Sequence, residues 1–204
     1  MYQPGDYDLA GFAVGVVERA RLLDGSGIGE GHRLLGMASS GPHSNGFSLI
    51  RRILELTGAD PGIRLTNPDG TGTTLGDALL APTKIYVKPV MRMLQSGGIA
   101  GLAHITGGGL TENIIRVLPQ DTGLVINKNA WRRLAVFDWL QQNGHVEEEE
   151  MLRTFNCGIG MVVVAAPEAA QALIETSIGF GIPCFDIGYV SAASTDQRVK
   201  YISA

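Results

Sequence analysis

The residues with the clearest chemical potential in this sequence lie at positions 39–46, which read S-S-G-P-H-S-N-G. His43 is at the centre of this stretch, and an imidazole titrates near neutral pH, which suits it to proton transfer. Hydroxyl and amide side chains on both sides supply hydrogen-bond donors and acceptors, and the backbone N–H groups of such a turn can hold an anion. The stretch is therefore a candidate site for chemistry.

A helix cap is the simpler alternative for the same residues. A helix is predicted over residues 47–56, and Ser44 or Asn45 would then satisfy its first backbone N–H groups and leave His43 without a role. Capping alone, however, does not require small polar residues on both sides of the histidine.

A second candidate is the stretch at residues 104–113, H-I-T-G-G-G-L-T-E-N. Three consecutive glycines between a predicted strand and a predicted helix let the backbone approach a phosphate or a substrate closely. The stretch lacks the Lys-Ser/Thr of a Walker A loop and the spacing of a Rossmann fingerprint, so neither is predicted. A flexible turn is the alternative, but the polar neighbours favour a site: Thr106, Glu112, Asn113 and Arg116.

Two further blocks are less specific. In A-P-T-K-I-Y at residues 81–86, Lys84 is a candidate anion ligand, although a lone lysine is more often a solvated charge. In F-N-C-G-I-G-M at residues 155–161, Asn156 is placed to hold a loop or a ligand, whereas Gly158 and Gly160 indicate close packing. The sequence contains no C-x-x-C pair that would indicate a zinc site, and no metal ligands are predicted.

The elements that must position these blocks mix strands and helices without strict βαβ alternation. We predict an α+β fold, layered α/β/α, with a mixed sheet flanked by helices. A strand at 34–38 leads into the first block, and a strand at 102–106 leads into the glycines. The polar stretch at 57–76 shows no periodicity and is predicted to be a long loop.

The amino-terminal residues 9–18 are predicted to form a strand, with Phe12, Val14 and Val16 on one face. Because nothing precedes this strand to pair with it, it is predicted to be the last strand of a domain whose earlier part is missing. A plain amino-terminal strand of a single domain is the alternative. The glycine-rich residues 21–33 are predicted to be a connector.

Composition narrows the classes of function. Of 204 residues 45% are hydrophobic, and 20 acidic residues outnumber 16 basic ones for a formal charge of −4. Because there is no basic excess to neutralise a phosphate backbone, a nucleic-acid partner is not predicted. The sequence shows no membrane span and no signal peptide, so we predict a soluble, cytoplasmic protein that holds Cys157 and Cys184 as reduced thiols.

Taken together and in order, the blocks resemble the aminoimidazole ribonucleotide synthetases, also called phosphoribosylformylglycinamidine cyclo-ligases, of purine synthesis. The matching stretches are Y-D-L-A-G-F-A-V-G-V-V-E at 7–18, S-S-G-P-H-S-N-G-F-S-L at 39–49, L-L-A-P-T-K-I-Y-V-K at 79–88, T-G-G-G-L-T-E-N-I at 106–114 and F-N-C-G-I-G-M at 155–161.

The resemblance implies ring closure of formylglycinamidine ribonucleotide to aminoimidazole ribonucleotide with ATP and Mg²⁺, by a homodimer with the fold of the carboxy-terminal domain of that superfamily. It implies His43 as the catalytic residue. The substrate-binding residues it implies are Ser39, Ser40, Gly41, Ser44, Asn45, Gly46, Thr83 and Lys84. The implied phosphate- or nucleotide-binding residues are Thr106, Gly107, Gly108, Gly109 and Asn113.

The resemblance also implies a division of the chain. Residues 1–20 would be the remnant of a missing amino-terminal ATP-binding domain, residues 21–33 the connector and residues 34–204 the carboxy-terminal domain. The missing half would supply most of the residues that bind ATP and Mg²⁺. This chain is therefore expected to be inactive alone. The alternatives are a related ATP-using enzyme (formylglycinamidine ribonucleotide synthetase, selenophosphate synthetase or thiamine-phosphate kinase) and a non-catalytic assembly module.

Overall fold

The centre of the fold is a mixed six-stranded sheet. The computed structural model describes residues 7, 10–193 and 198–203. The strands within these ranges are β1 (Arg33–Ala38), β2 (Arg64–Thr66), β3 (Gly72–Thr74), β4 (Ile99–His104), β5 (Thr122–Asn127), β6 (Ile159–Ala165), β7 (Cys184–Ala192) and β8 (Val199–Ile202). The main sheet has the order β4-β6-β1-β7-β5-β8, and its neighbours are antiparallel except for the parallel pair of β5 and β8.

Helices cover both faces of this sheet. They are α1 (Phe47–Thr57), α2 (Leu75–Leu79), α3 (Val87–Ser96), α4 (Gly109–Asn113), α5 (Ala135–Gly144), α6 (Glu148–Thr154) and α7 (Ala170–Gly179). Single turns of 3-10 helix occur at Arg19–Arg21, Ile114–Val117 and Pro167–Ala169. None of the helices in the described part of the chain is long and apolar enough to cross a membrane.

The alternation of side chains along the strands produces two cores. In β1, Leu34 points to one face and packs in a cluster with residues of α1, α2, α4, α5 and α6. Leu35 and Met37 point to the other face and pack with residues of α3 and α7. Because successive strand residues face opposite ways, one strand supplies both cores. The predicted layered α/β/α fold with a mixed sheet is confirmed.

The amino-terminal segment corrects one prediction. Residues 10–18 form no strand and pair with no other strand in the described part of the chain, while residue 9 lies outside it. Phe12, Val14 and Val16 are each at least 85% exposed. The apolar alternation is present, but a strand requires a neighbour that completes its hydrogen bonds, and this segment has none there.

The predicted long loop at residues 57–76 is also corrected. It contains the hairpin of β2 and β3, closed by a turn in which the Asn67 N–H donates to the Thr71 carbonyl (2.8 Å). The Leu75 N–H then donates to the Ile63 carbonyl (2.8 Å), and Thr74 caps α2 by accepting from the Asp77 N–H. These bonds are local, but the polar composition of the segment hides the short strands.

Candidate active site

Three segments that carry the sequence motifs lie together at one end of the main sheet. We name them the histidine loop (residues 39–46), the lysine loop (residues 80–86) and the glycine turn (residues 106–109). β1 and β4 are both antiparallel to β6, so both of these strands end where β6 begins. The histidine loop follows β1, the glycine turn follows β4, and the F-N-C-G-I-G-M block enters β6 at the same end.

His43 is buried and held between two loops. Only 4% of the residue is exposed, and its backbone has a φ of +58°, a value that is uncommon outside glycine. Nε2 of the ring accepts hydrogen bonds from the Ser40 N–H (3.3 Å) and the Lys84 N–H (3.4 Å), whereas Nδ1 is buried and has no partner among the described residues. Burial, together with the nearby charges of His104 and Lys84, lowers the pKa of His43 to about 4. The ring is therefore neutral at physiological pH.

Side chains join the histidine loop to the lysine loop. The Ser40 hydroxyl donates to the Pro82 carbonyl (2.6 Å), and the hydroxyls of Ser44 and Thr83 lie 3.5 Å apart. A cleft of about 420 Å³ opens beside them, lined by His43, Ser44, Phe47, Arg51, Leu79, Leu80, Ala81, Pro82 and Thr83. Arg51, which the sequence reading did not single out, reaches this cleft because it lies one helical turn after Phe47.

Asn156 fixes the base of the histidine loop. Its Oδ1 accepts hydrogen bonds from the Ser39 hydroxyl (3.1 Å) and the Gly158 N–H (2.9 Å), and its Nδ2 donates to the Gly41 carbonyl (2.9 Å). Ser39 and Asn156 are both buried. The Asn156 amide therefore holds a loop, one of the two roles considered from the sequence, and the Ser39 hydroxyl is used within this network.

Tyr86 and Gly160 define the space around the imidazole. The buried Tyr86 hydroxyl donates to the Ala38 carbonyl (2.9 Å), and its ring centroid lies 6.4 Å from those of both His43 and His104. A Cβ on Gly160 would overlap the Tyr86 hydroxyl and come within 2.6 Å of Cε1 of His43. The sequence indicated close packing at Gly160 but contained no signal that the neighbour was His43.

The capping alternative for the histidine loop is wrong. α1 begins after Gly46, whose φ is +75°, and no side chain in the described part of the chain caps its first turn. Ser44 and Asn45 therefore do not serve as caps. Asn45 instead turns towards the glycine turn, with Oδ1 3.9 Å from the position of a Cβ on Gly107. The second motif therefore lies beside the first.

Asn113 maintains the shape of the glycine turn. Its Nδ2 donates to the carbonyls of Gly109 (2.8 Å) and Gly107 (3.2 Å), and its Oδ1 accepts from the Thr106 hydroxyl (3.1 Å). Gly108 and Gly109 have φ values of +98° and +54°, which explains the need for glycine there. Among the described residues, no atom accepts a hydrogen bond from the backbone N–H of Gly107 or Gly108.

A second cleft, of about 430 Å³, opens onto the glycine turn. The Glu112 carboxylate at its edge pairs with Arg153 (3.3 Å) and Arg116 (3.6 Å), so this acidic group is balanced by cations. The lining residues are Gly46, Gly107, Gly108, Glu112, Glu150, Arg153 and Thr154. Gly46 in this lining shows that the histidine loop borders both clefts.

Lys84 lies in an apolar groove of about 400 Å³ on the outer side of the lysine loop. Burial lowers the pKa of its ammonium group, and that group has no ion-pair partner within the described ranges. The other lining residues are Ile85, Tyr86, Val87, Val90, Met91, His104 and Met161. Lys84 is thus an available cation, and His104 places an imidazole in the same groove.

The described side chains were compared with the ligand clusters that hold metal ions. In residues 7, 10–193 and 198–203, no group of three or more His, Cys, Asp or Glu side chains is placed to hold a metal ion. Cys157 and Cys184 are free and buried, and burial raises the pKa of each thiol to about 12.

Comparison with solved structures defines the class of fold. Thiamine-monophosphate kinase from Stenotrophomonas maltophilia K279a superposes with a TM-score of 0.62 and 14% identity, over 91% of this chain and 54% of that one. Thermotoga maritima PurL complexed with AMPPCP superposes with a TM-score of 0.54 and 15% identity, over 92% of this chain and 26% of that one. At these identities the likeness shows a shared fold.

The sequence comparisons then give the family. The chain belongs to the family described as AIR synthase related protein, C-terminal domain, whose model matches residues 29–200. It is 54% identical over 202 residues to a phosphoribosylformylglycinamidine cyclo-ligase of Xanthomonas campestris pv. campestris (strain B100), covering 98% of this chain and 58% of that protein. A cyclo-ligase of Xylella fastidiosa (strain 9a5c) is 52% identical, with 98% and 56% covered. The resemblance inferred from the motifs is confirmed, and the chain spans a little over half the length of these relatives.

Proposed function

We propose that this chain is the substrate-binding part of a phosphoribosylformylglycinamidine cyclo-ligase, which closes the imidazole ring of aminoimidazole ribonucleotide at the expense of ATP. The observation that carries the proposal is the 54% identity over 98% of the chain to a protein of that name. The convergence of the motif segments at one end of the sheet supports it, because one substrate could contact all of them.

In the proposed reaction, ATP transfers its γ-phosphoryl group to the formyl amide oxygen and releases ADP. The amidine nitrogen then attacks the activated carbon, and ring closure expels that oxygen as inorganic phosphate. The protein's part is to position these groups and to stabilise charge. His43 would contact the reacting portion of the substrate. The remaining substrate contacts would come from Ser39, Ser40, Gly41, Ser44, Asn45, Gly46, Thr83 and Lys84.

The glycine turn is proposed to take a phosphate. The unpartnered N–H groups of Gly107 and Gly108 are suited to an anion, and Gly109 allows the sharp turn that exposes them. Thr106 and Asn113 would act by holding the turn, because their side chains already bond to it and to each other. The phosphate of the substrate and the phosphates of ATP could both accept hydrogen bonds from these N–H groups. A binding competition between the substrate and ATP would distinguish the two ligands.

The rest of the proposed enzyme follows the division inferred from the sequence. Residues 1–20 belong to an amino-terminal ATP-binding domain, residues 21–33 connect it, and residues 34–204 form the substrate domain. We propose that the part of the relatives not matched here supplies Mg²⁺ ligands and most ATP contacts. The complete enzyme is proposed to be a cytoplasmic homodimer without nucleic-acid or membrane partners.

A reconstitution experiment tests the proposed function. This chain would be mixed with the separately produced part of the Xanthomonas relative that it does not match, and assembly would be verified by size-exclusion chromatography. Addition of formylglycinamidine ribonucleotide, ATP and Mg²⁺ should produce aminoimidazole ribonucleotide and ADP, whereas neither part alone should do so. A complex that assembles but shows no turnover would contradict the proposal.

The same assay separates an enzyme from a non-catalytic assembly module. A His43→Gln substitution removes the Nδ1 donor and should lower turnover in the reconstituted complex by about 100-fold. A Gln142→Glu substitution, at an exposed position of α5, is the matched control and should leave turnover unchanged. Equal turnover of the H43Q complex and the unaltered complex would favour the assembly module.

A further inference from the structure

We propose that His43 acts as a fixed, uncharged hydrogen-bond donor through Nδ1–H, while its Nε2 holds the histidine loop and the lysine loop together. In this role His43 does not transfer a proton. Its partner would be an acceptor oxygen of the substrate, of the amide or phosphoryl class. The identity of that substrate rests on the proposed function, whereas the protonation state of the His43 ring does not.

The hydrogen bonds at Nε2 determine which nitrogen carries the proton. An imidazole nitrogen accepts a hydrogen bond only in its unprotonated form. Two backbone N–H groups, from Ser40 and Lys84, point at Nε2 from two different loops. A proton on Nε2 would meet both of these donors and leave them unsatisfied. The single proton of the neutral ring therefore resides on Nδ1.

The same contacts remove Nε2 from the reaction. A general base must present a free lone pair to the proton that it abstracts. In His43 that lone pair is shared by the Ser40 and Lys84 amides, so proton abstraction would separate the two loops. The structure therefore argues against the proton-transfer role that the residue type alone suggested.

Nδ1–H remains as the atom that lacks a partner. It is buried, and no atom of the described residues accepts from it. Buried donors in folded proteins are normally paired, and an unpaired donor at a candidate site is explained by an acceptor that the bound ligand supplies. The chemistry of that acceptor is limited, since it must offer a lone pair to an N–H.

The charged and titratable groups around the ring disfavour an imidazolium. Lys84 faces it from the lysine loop and His104 from β4, and the phenol of Tyr86 lies beside it. Arg51 of α1 lines the same cleft as His43. His43 has no carboxylate partner among the described residues. A protonated ring would therefore be buried among like charges without compensation.

Nitrogen-15 NMR of the chain itself tests the protonation state. The sequence has four histidines, so the triple variant H32Q/H104Q/H145N leaves His43 as the sole imidazole. His104 and His145 are exposed and His32 is half-exposed, and asparagine tolerates the positive φ of 47° at position 145. The expected spectrum shows protonated Nδ1, unprotonated Nε2 and no titration between about pH 5 and 8. Protonation at Nε2, or a titration in that interval, would overturn the proposal.

Amide hydrogen exchange tests the connection between the loops. In His43→Gln the acceptor Oε1 stands at the position of Nε2, whereas in His43→Asn the polar atoms stop at the δ position. The Ser40 and Lys84 amides should remain protected in H43Q and exchange at least tenfold faster in H43N. Protection in H43N equal to that in the unaltered chain would show that the ring does not hold the loops. Neither readout requires turnover, so a failure here is distinguishable from a failure of the proposed function.

Discussion

The chemistry of the candidate site depends on a few atoms around one imidazole. His43 has the residue type that suits a proton-transfer group, but burial and two backbone donors favour a neutral ring, whose buried Nδ1 has no hydrogen-bond partner among the described residues. Gly160 leaves the space in which that ring and the Tyr86 hydroxyl lie side by side. At this scale, the surroundings of His43 determine what the residue can do.

Replacing Gly160 with alanine should destabilise the fold. The added methyl group would meet the Tyr86 hydroxyl and Cε1 of His43, and the rigid tyrosine ring is held by its bond to Ala38. Overpacking of this kind costs about 1–3 kcal/mol of unfolding free energy, measured by urea denaturation. Gly27→Ala is the control, because a Cβ there meets nothing within 4 Å and should change stability by less than about 0.5 kcal/mol. Equal effects of the two substitutions would contradict this account of Gly160.

Stability should fall in acid because of His43. Its pKa lies below the ordinary value of 6.5, at about 4, so the unfolded chain takes up the proton first as the pH falls. The contribution of His43 to the unfolding free energy is complete above about pH 6.5 and is lost progressively as the pH falls towards 4. By pH 4 the unaltered chain should have lost about 3 kcal/mol more unfolding free energy than H43Q. Urea denaturation of both proteins at several pH values measures this difference, and parallel pH profiles would refute it.

At the scale of the secondary-structure elements, the carboxamide side chains of two asparagines hold the segments of the site in place. Asn156 ties the histidine loop to the entrance of β6, and Asn113 ties the glycine turn to the end of α4. Each side chain uses both its donor and its acceptor atoms on backbone or hydroxyl groups of the loop that it supports. Since irregular backbone cannot satisfy its own hydrogen bonds, these amides replace the bonds that a helix or a sheet would provide.

An Asn113→Asp substitution should disrupt the glycine turn. The new carboxylate would face the Gly107 and Gly109 carbonyls, which would lose their donor. We expect a loss of about 2 kcal/mol or more in unfolding free energy, together with faster amide exchange in the turn. Asn143→Asp makes the same chemical change at an exposed position of α5, where the amide donates to the Trp139 carbonyl, and should cost less. Similar losses in the two variants would argue against the buried clamp.

The bounds of some strands and helices could be predicted directly from the sequence. The strand before the histidine loop and α1 were predicted within one residue at each end, because apolar periodicity and glycine boundaries are local signals. The hairpin of β2 and β3 was missed because its strands have three residues each and its turn is polar throughout. The helix predicted after the three glycines is divided into α4 and a 3-10 turn at Ile114–Val117. Asn113, whose side chain bonds back to the glycine turn, is the last residue of α4.

At the scale of the whole molecule, the order of the strands assembles the site. β6 lies between β1 and β4 and runs antiparallel to both, so segments that are distant in sequence meet at one end of the sheet. In contrast to these paired strands, the segment at residues 10–18 presents Phe12, Val14 and Val16 to solvent. A row of exposed apolar side chains on an unpaired backbone favours association.

This segment should make the isolated chain associate with itself. Light scattering is expected to show species larger than the monomer at increasing concentration, with amides of residues 10–18 protected in the associated form. The triple variant F12S/V14T/V16T removes the apolar row and should shift the population towards monomer. A monomer at all concentrations, with fully exchanging amides in this segment, would contradict the prediction.

The sequence by itself determined the family, the layered α/β/α class and the segments in which a site could lie, because these depend on residue identity, local periodicity and short motifs. Only the tertiary structure decided how the segments are arranged relative to one another. It placed the Ser40 and Lys84 amides on the same nitrogen of His43, employed Asn113 and Asn156 as supports, and left residues 10–18 unpaired. The physical reason is that hydrogen-bond partners, burial and electrostatic surroundings come from residues distant in sequence, and their arrangement is fixed only when the sheet brings the strands into register.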